Sequence, residues 1–182
     1  MTAAVVFKDN RAPVDISTET RIRRSTVLGK LIEIIALGYE TEQDLTRDPA
    51  EVERKIDHNH LSSYRWLVDS YIDNSILVDS SMQQLNKDIM SGTTKLKRQM
   101  NRFYCESLAR FKIATRPIDI DKLRINSDFI VEDLMKKATK FVHSSSDLGD
   151  GYYDEDISWG IELVTSYSII ECIVLENPND NH

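Results

Sequence analysis

Asp57, His58, Asn59 and His60 form the only histidine cluster in the chain, and alternating imidazoles on a turn or extended backbone could approach a metal ion. Two histidines and an aspartate leave a tetrahedral site incomplete. His143 would have to be supplied from a distant segment, and neither HExxH nor ExxH spacing occurs. The expectation is a polar helix start and no metal. Asp147, Asp150, Asp154, Glu155 and Asp156 raise calcium instead, since carboxylates beside Gly149 and Gly151 could wrap a hard cation. Counted from Asp147, however, the third and fifth ligand positions of a calcium loop are the two glycines, and the twelfth is Ser158. Counted from Asp150, the twelfth is Ile161. In Pro117-Ile118-Asp119-Ile120-Asp121-Lys122 the acids stand one and three residues before the lysine, the wrong register for one strand face of a nuclease. No GxSxG, GxxxxGK or GxGxxG is present, and neither Cys105 nor Cys172 has a histidine placed by sequence to activate it. The chain is expected to be non-enzymatic, with no cofactor.

Charge carries the remaining signal. Between Ser91 and Ile125 nine Lys and Arg face three acids, whereas from Asn126 onward three Lys face twelve acids, within a formal net charge of −7. Lys95, Arg98 and Arg102 recur at helical spacing on one stripe, and Lys97, Arg110, Lys112 and Arg116 extend the basic segment. Such a stripe could follow phosphates while an exposed aromatic stacks on a base, and Tyr104 is the one aromatic there that falls off the apolar ladder. Nucleic-acid binding is therefore the alternative reading. Pairing with the acidic third of the chain, or with an acidic protein, is favoured. Arg21, Arg23 and Arg24 form a second basic group. The acidic segment from Asp147 to Asp156 carries Tyr152 and Tyr153, a mixture suited to recognising a basic surface. Asp154, Glu155 and Asp156 are expected either to face a partner or to fold over Arg98 and Arg102.

These residues need elements to position them. Leu61, Val68, Met82, Ile89, Leu96 and Phe103 fall on one seven-residue ladder broken only by Ser75, with Tyr64, Tyr71, Val78 and Leu85 three positions after a rung. This a/d seam from Leu61 to Ile113 is the organising element. Its register passes through Ser91-Gly92-Thr93-Thr94 unchanged, which favours one continuous kinked helix over a hairpin at Gly92. Before the seam, a helix from Ser17 or Thr18 to Leu37 is expected, stopped by Gly38 in a left-handed conformation. Short helices are expected over Thr41–Leu45 and Pro49–Ile56, the second capped by Asp48. Their rhythm imitates a helix-turn-helix, but Glu51 and Glu53 would set carboxylates against phosphates. After Pro117 a connector through Ile125 leads to a helix opened by Asn126-Ser127-Asp128. Ile157 to Leu175 is apolar on more than one face, so it is expected as a buried helix at the centre.

With 41% hydrophobic and 29% charged residues, six glycines and four prolines, the composition suits one helical domain of ordinary globular type. The expected architecture is all-α: five to seven helices over residues 18–176, a flexible arm over 1–17 and a frayed tail over 177–182. The opening MTAAVVFKDN lacks the apolar run of a signal peptide, and no stretch reaches membrane-spanning length. Both cysteines sit in apolar-periodic segments, as small buried residues of a reducing, cytoplasmic setting. The functional expectation is a helical binding, adaptor or regulatory protein that engages another protein through charged surfaces. A homodimer stays open, because so long a seam must bury against something.

Overall fold

Apolar residues cover almost the whole circumference of the segment after Tyr153, and a helix of that kind must be surrounded. The computed structural model describes residues 24–38, 49–148, 151–171 and 173–179. Six helices follow in order: α1 (Val27–Leu37), α2 (Pro49–Asn59), α3 (Arg65–Asp88), α4 (Gly92–Arg110), α5 (Ile120–His143) and α6 (Asp154–Ile170). The all-α expectation holds, and among the described residues the only β-type pairings are two isolated bridges.

Helix α6 is the central element, packed against α1, α3, α4 and α5. Every residue from Gly160 to Ile169 except Glu162 is buried. Gly160 permits this close packing, because a Cβ there would lie 2.9 Å from Cγ2 of Ile32 on α1. On α3, Tyr71 meets Tyr167 with ring centroids 6.4 Å apart, and the Ser166 hydroxyl donates to the Leu67 carbonyl at 2.7 Å. The seam is buried as its periodicity predicts: Leu61, Val68, Tyr71, Val78, Met82, Leu85, Leu96 and Phe103 belong to the core, and Ser75 is buried with them. Asp69, Asp73, Asp79 and Asp88 stay exposed on the opposite face.

The continuous helix is overturned. Helix α3 ends at Asp88, Ile89 is extended, and Ser91 turns the chain in the left-handed region with φ 59°. Gly92 matters for proximity rather than for its own dihedral: a Cβ would lie 2.8 Å from both Cγ and the carbonyl oxygen of Leu85. Asn86 locks the corner, its side chain donating to the Thr93 hydroxyl at 2.7 Å and accepting from the Thr93 amide at 3.0 Å. In-register apolar residues on both sides of the turn face a shared core, so an unbroken ladder did not require an unbroken helix.

Other boundaries also move. Thr26 caps α1, its hydroxyl accepting from the Gly29 amide at 2.9 Å, so the helix that reaches Leu37 begins at Val27. Gly38 is extended, with φ −74°, rather than left-handed. Asp119 caps α5 by accepting from the Lys122 amide at 3.1 Å, so the supposed connector is the helix's first turns and Asn126 to Asp128 lie inside it. Helix α4 stops at Arg110, well before Pro117. The Lys112 amide donates to the Ala109 carbonyl and the Ile113 amide to the Leu108 carbonyl, with Lys112 at φ 55°. This is a Schellman closure made without glycine, sealed by the buried Leu108 and Ile113. The last helix ends at Ile170, and the chain turns through Leu175 at φ 64°. The expected arm over 1–17, the start at Ser17 or Thr18, the Thr41–Leu45 helix, the Asp48 cap and the tail beyond Asn179 lie outside the described residues.

Candidate functional site

The basic stripe lies along α4, where Lys95, Arg98 and Arg102 are all exposed. Arg102 pairs with Glu106 one turn on at 2.9 Å, an exposed pair of small energetic weight. Tyr104 is placed against expectation. It is buried on the inward side of α4, and its hydroxyl donates to Glu176 Oε1 at 3.1 Å. Burial, together with the neighbouring Glu176 carboxylate, pushes its pKa well above the ordinary tyrosine value. It cannot offer a ring to a base. Its position one residue after Phe103 put it on the neighbouring apolar column, which α6 and the following segment cover.

The basic segment does meet the acidic third of the chain, through Lys97. Its ammonium lies 3.3 Å from Glu171 Oε2 and 5.8 Å from the centre of the Tyr167 ring, both at the C-terminal end of α6. Asp154, Glu155 and Asp156 are at the other end, in the first turn of α6 rather than in a loop. About sixteen residues of helix separate Glu155 from Glu171, roughly 24 Å along the axis. The structure therefore does not bring these three acids to Arg98 and Arg102. Carboxylates in a first turn meet the positive end of the helix dipole. Asp156 also accepts from the Tyr153 amide at 3.4 Å. Asp154, Glu155 and Tyr153 remain exposed, Tyr153 with 74% of its surface. Tyr152 is turned inward, donating to Glu33 on α1 at 3.1 Å, and Asp147 accepts from the Thr26 amide at 2.5 Å.

The histidine cluster is the end of α2, where its backbone does the work. The His58 carbonyl accepts from Arg124 Nε at 2.8 Å and the His60 carbonyl from the Ser127 hydroxyl at 3.1 Å. Asp128 takes the Ser62 and Ser63 amides at 3.1 Å each and the Ser62 hydroxyl at 2.8 Å. Burial disfavours its charge, but these donors outweigh it and hold its pKa below the ordinary value. The N-terminal half of α5 thus holds the turn between α2 and α3. Among the described residues no group of three His, Cys, Asp or Glu is placed to hold a metal. No described helix is long and apolar enough to cross a membrane.

Two buried ionisable groups, and the structural role of Asn59, escaped notice in the sequence. Asp133 is enclosed between α4 and α5, accepting from the Ser107 hydroxyl at 2.8 Å and from Arg110 and Lys137. Burial opposes its ionisation, yet Lys137, Ser107 and Arg110 together hold its pKa below the usual value. Lys55 on α2 is buried and donates to the Ile169 carbonyl at the end of α6. Asn59 beside it donates to the Glu176 carbonyl and accepts from the Glu176 amide, at 2.8 and 2.9 Å. A charged residue at an apolar-periodic position, such as Asp133 one before Leu134, was the available signal. Among the large apolar residues that stand outside, Ile125 and Phe129 share α5, 78% and 58% exposed. Cys105, expected inside, is an exposed free thiol, because its position on α4 is between the buried Tyr104 and the solvent-facing Glu106.

Comparison of the chain with protein-family models, with curated proteins and with solved structures finds no match.

Proposed function

We propose that this is a non-enzymatic helical binding protein of regulatory or adaptor type that engages another protein through charged surfaces. The observation that carries the reading is the start of α6, where the exposed ring of Tyr153 stands beside the exposed carboxylates of Asp154 and Glu155. A rigid helix end that combines an amphipathic aromatic with fixed negative charge suits a basic protein surface. The ionisable groups inside, Asp133 and Lys55, are engaged in joining helices. The exposed thiol of Cys105 fits a reducing cytoplasm.

The test is affinity capture with the intact chain and with the triple variant Tyr153→Ser, Asp154→Asn, Glu155→Gln. Asp156 is left in place because it bonds the helix start. The reading expects one stoichiometric protein, lost from the variant at unchanged circular dichroism. Retention of that protein by the variant would overturn the assignment to α6. The basic stripe of Lys95, Arg98 and Arg102 supplies a second arm of the experiment. Binding of a labelled duplex or single strand at low salt, falling by orders of magnitude at moderate salt and lost in Arg98→Ala/Arg102→Ala, would replace the protein partner by a nucleic acid.

A further inference from the structure

Ile125 and Phe129 are one turn apart on α5 and so share a face, and they extend onto the end of α4. The Phe129 ring lies 6.4 Å from that of Phe111, centroid to centroid. Phe111 is the residue at which α4 ends, and it is half-buried between its own helix and Phe129. Its ring also lies 6.0 Å from the Arg110 guanidinium. The backbone beneath is fixed twice: by the Schellman closure at Lys112, and by the Lys122 ammonium of α5 donating to the Lys112 carbonyl at 2.7 Å. The result is an apolar surface, two aromatic rings and an aliphatic side chain, on two helix ends that are already tied together. Cations border it. Arg110 keeps 65% of its side chain exposed although it pairs with Asp133, and Lys112 is exposed.

We propose that this surface docks an acidic amphipathic helix of another protein. The apolar spacing along α5 matches that of a helical ligand's own stripe, whose residues recur every three or four positions. Arg110 and Lys112, the exposed neighbours of Phe111, ask that the ligand carry carboxylates beside its apolar stripe. A polyanion fits less well. The most exposed member, Ile125, offers no plane for a base, and the exposed Asp119 and Asp121 at the start of α5 confine a ligand's carboxylates to the α4 side of the surface. The inference rests on the reading of the chain as a protein-binding molecule, but not on the same residues. From Phe129 to the end of α5 the helix runs about 21 Å, and Tyr153 lies beyond that end in the chain.

The experiment uses the intact chain to select from a displayed library of amphipathic helical peptides whose positions beside a fixed apolar stripe are randomised over acidic, basic and neutral residues. Peptides enriched in Asp and Glu are expected. Their affinity should fall at least tenfold in Ile125→Ser/Phe129→Ser and again in Lys112→Glu, while Tyr153→Ser/Asp154→Asn/Glu155→Gln leaves it unchanged. Amide shifts on titration should centre on Phe111, Ile125 and Phe129. Enrichment without acidic bias, or binding unaffected by Ile125→Ser/Phe129→Ser, overturns the proposal while leaving the α6 assignment standing. It is equally overturned if sedimentation shows a self-association that Ile125→Ser/Phe129→Ser abolishes, or if a labelled single strand binds and those substitutions release it. Loss of the α6 partner in the capture experiment, with these peptides still bound, would separate the two surfaces in the other direction.

Discussion

Phe129 and Asp133 stand one turn apart on α5, and the usual distribution of side chains is inverted at both: the phenylalanine is 58% exposed, while the aspartate side chain keeps 6% of its surface. The difference between them is whether the compensation lies inside the molecule. Asp133 is matched by Ser107, Arg110 and Lys137, which supply donors for a carboxylate removed from water. Phe129 meets the Phe111 ring at the end of α4 and keeps most of its surface in water. A buried polar group is therefore explained by the chain itself, whereas an exposed apolar one directs attention outward.

Asp133→Ala should break the buried half most severely, leaving Lys137 and Arg110 without their carboxylate while Ser107 can still donate to the Phe103 carbonyl, and costing about 2 kcal/mol. Chemical denaturation with an unchanged m-value would register that loss. Ser107→Ala removes one donor and leaves the two cations, so about 1 kcal/mol is expected. If the two substitutions together cost as much as their sum, the residues are not one network; a shortfall measures their coupling. The same carboxylate sets an acid limit. Because the folded-state pKa values of Asp133 and Asp128 are depressed, their contribution is complete above the unfolded value near ~4 and is lost as pH falls through the lower folded values. Wild type should thus lose stability faster than Asp133→Asn on acidification in that window. At the other pole, Phe129→Ser should change stability by less than about 0.5 kcal/mol, as for a surface position. A loss several times larger would show that Phe129 serves the fold, and the contrast with Asp133 would collapse.

The helical architecture was legible because its periodic residues answer to one physical demand, burial along a stripe. Leu61, Val68, Met82, Leu96 and Phe103 are inside for that reason, and the segment after Ile157 is central because it is apolar on several sides. What the ladder could not show was direction. A heptad pattern reports which face is buried, and both arms of a corner at Ser91 can bury the same face. Caps failed in a similar way: Asp119 was a better start than Asn126, but Pro117 two residues earlier drew attention to the break rather than to the capping side chain. For the candidate surfaces, Lys95, Arg98 and Arg102 are outward, a matter the charge pattern alone had left open between exposure and cover by the acidic third. Tyr104 went inward because burial of a ring needs only one acceptor for its hydroxyl, and Glu176 supplies it from more than seventy residues away. Ile125 could have been recognised, because Leu123 and Ile125 cannot face the same side of a helix.

The position of α6 has a consequence for how the protein is made. The helix on which α1, α3, α4 and α5 pack follows them in the chain, and Lys55 and Asn59 on α2 find their partners more than a hundred residues downstream, at Ile169 and Glu176. During synthesis α1 to α5 leave the ribosome with no centre to close upon. Their seams are open to solvent, to one another and to chaperones until α6 emerges. Folding is then a late event in the life of the nascent chain, governed by long-range closure rather than by the early appearance of its long helices.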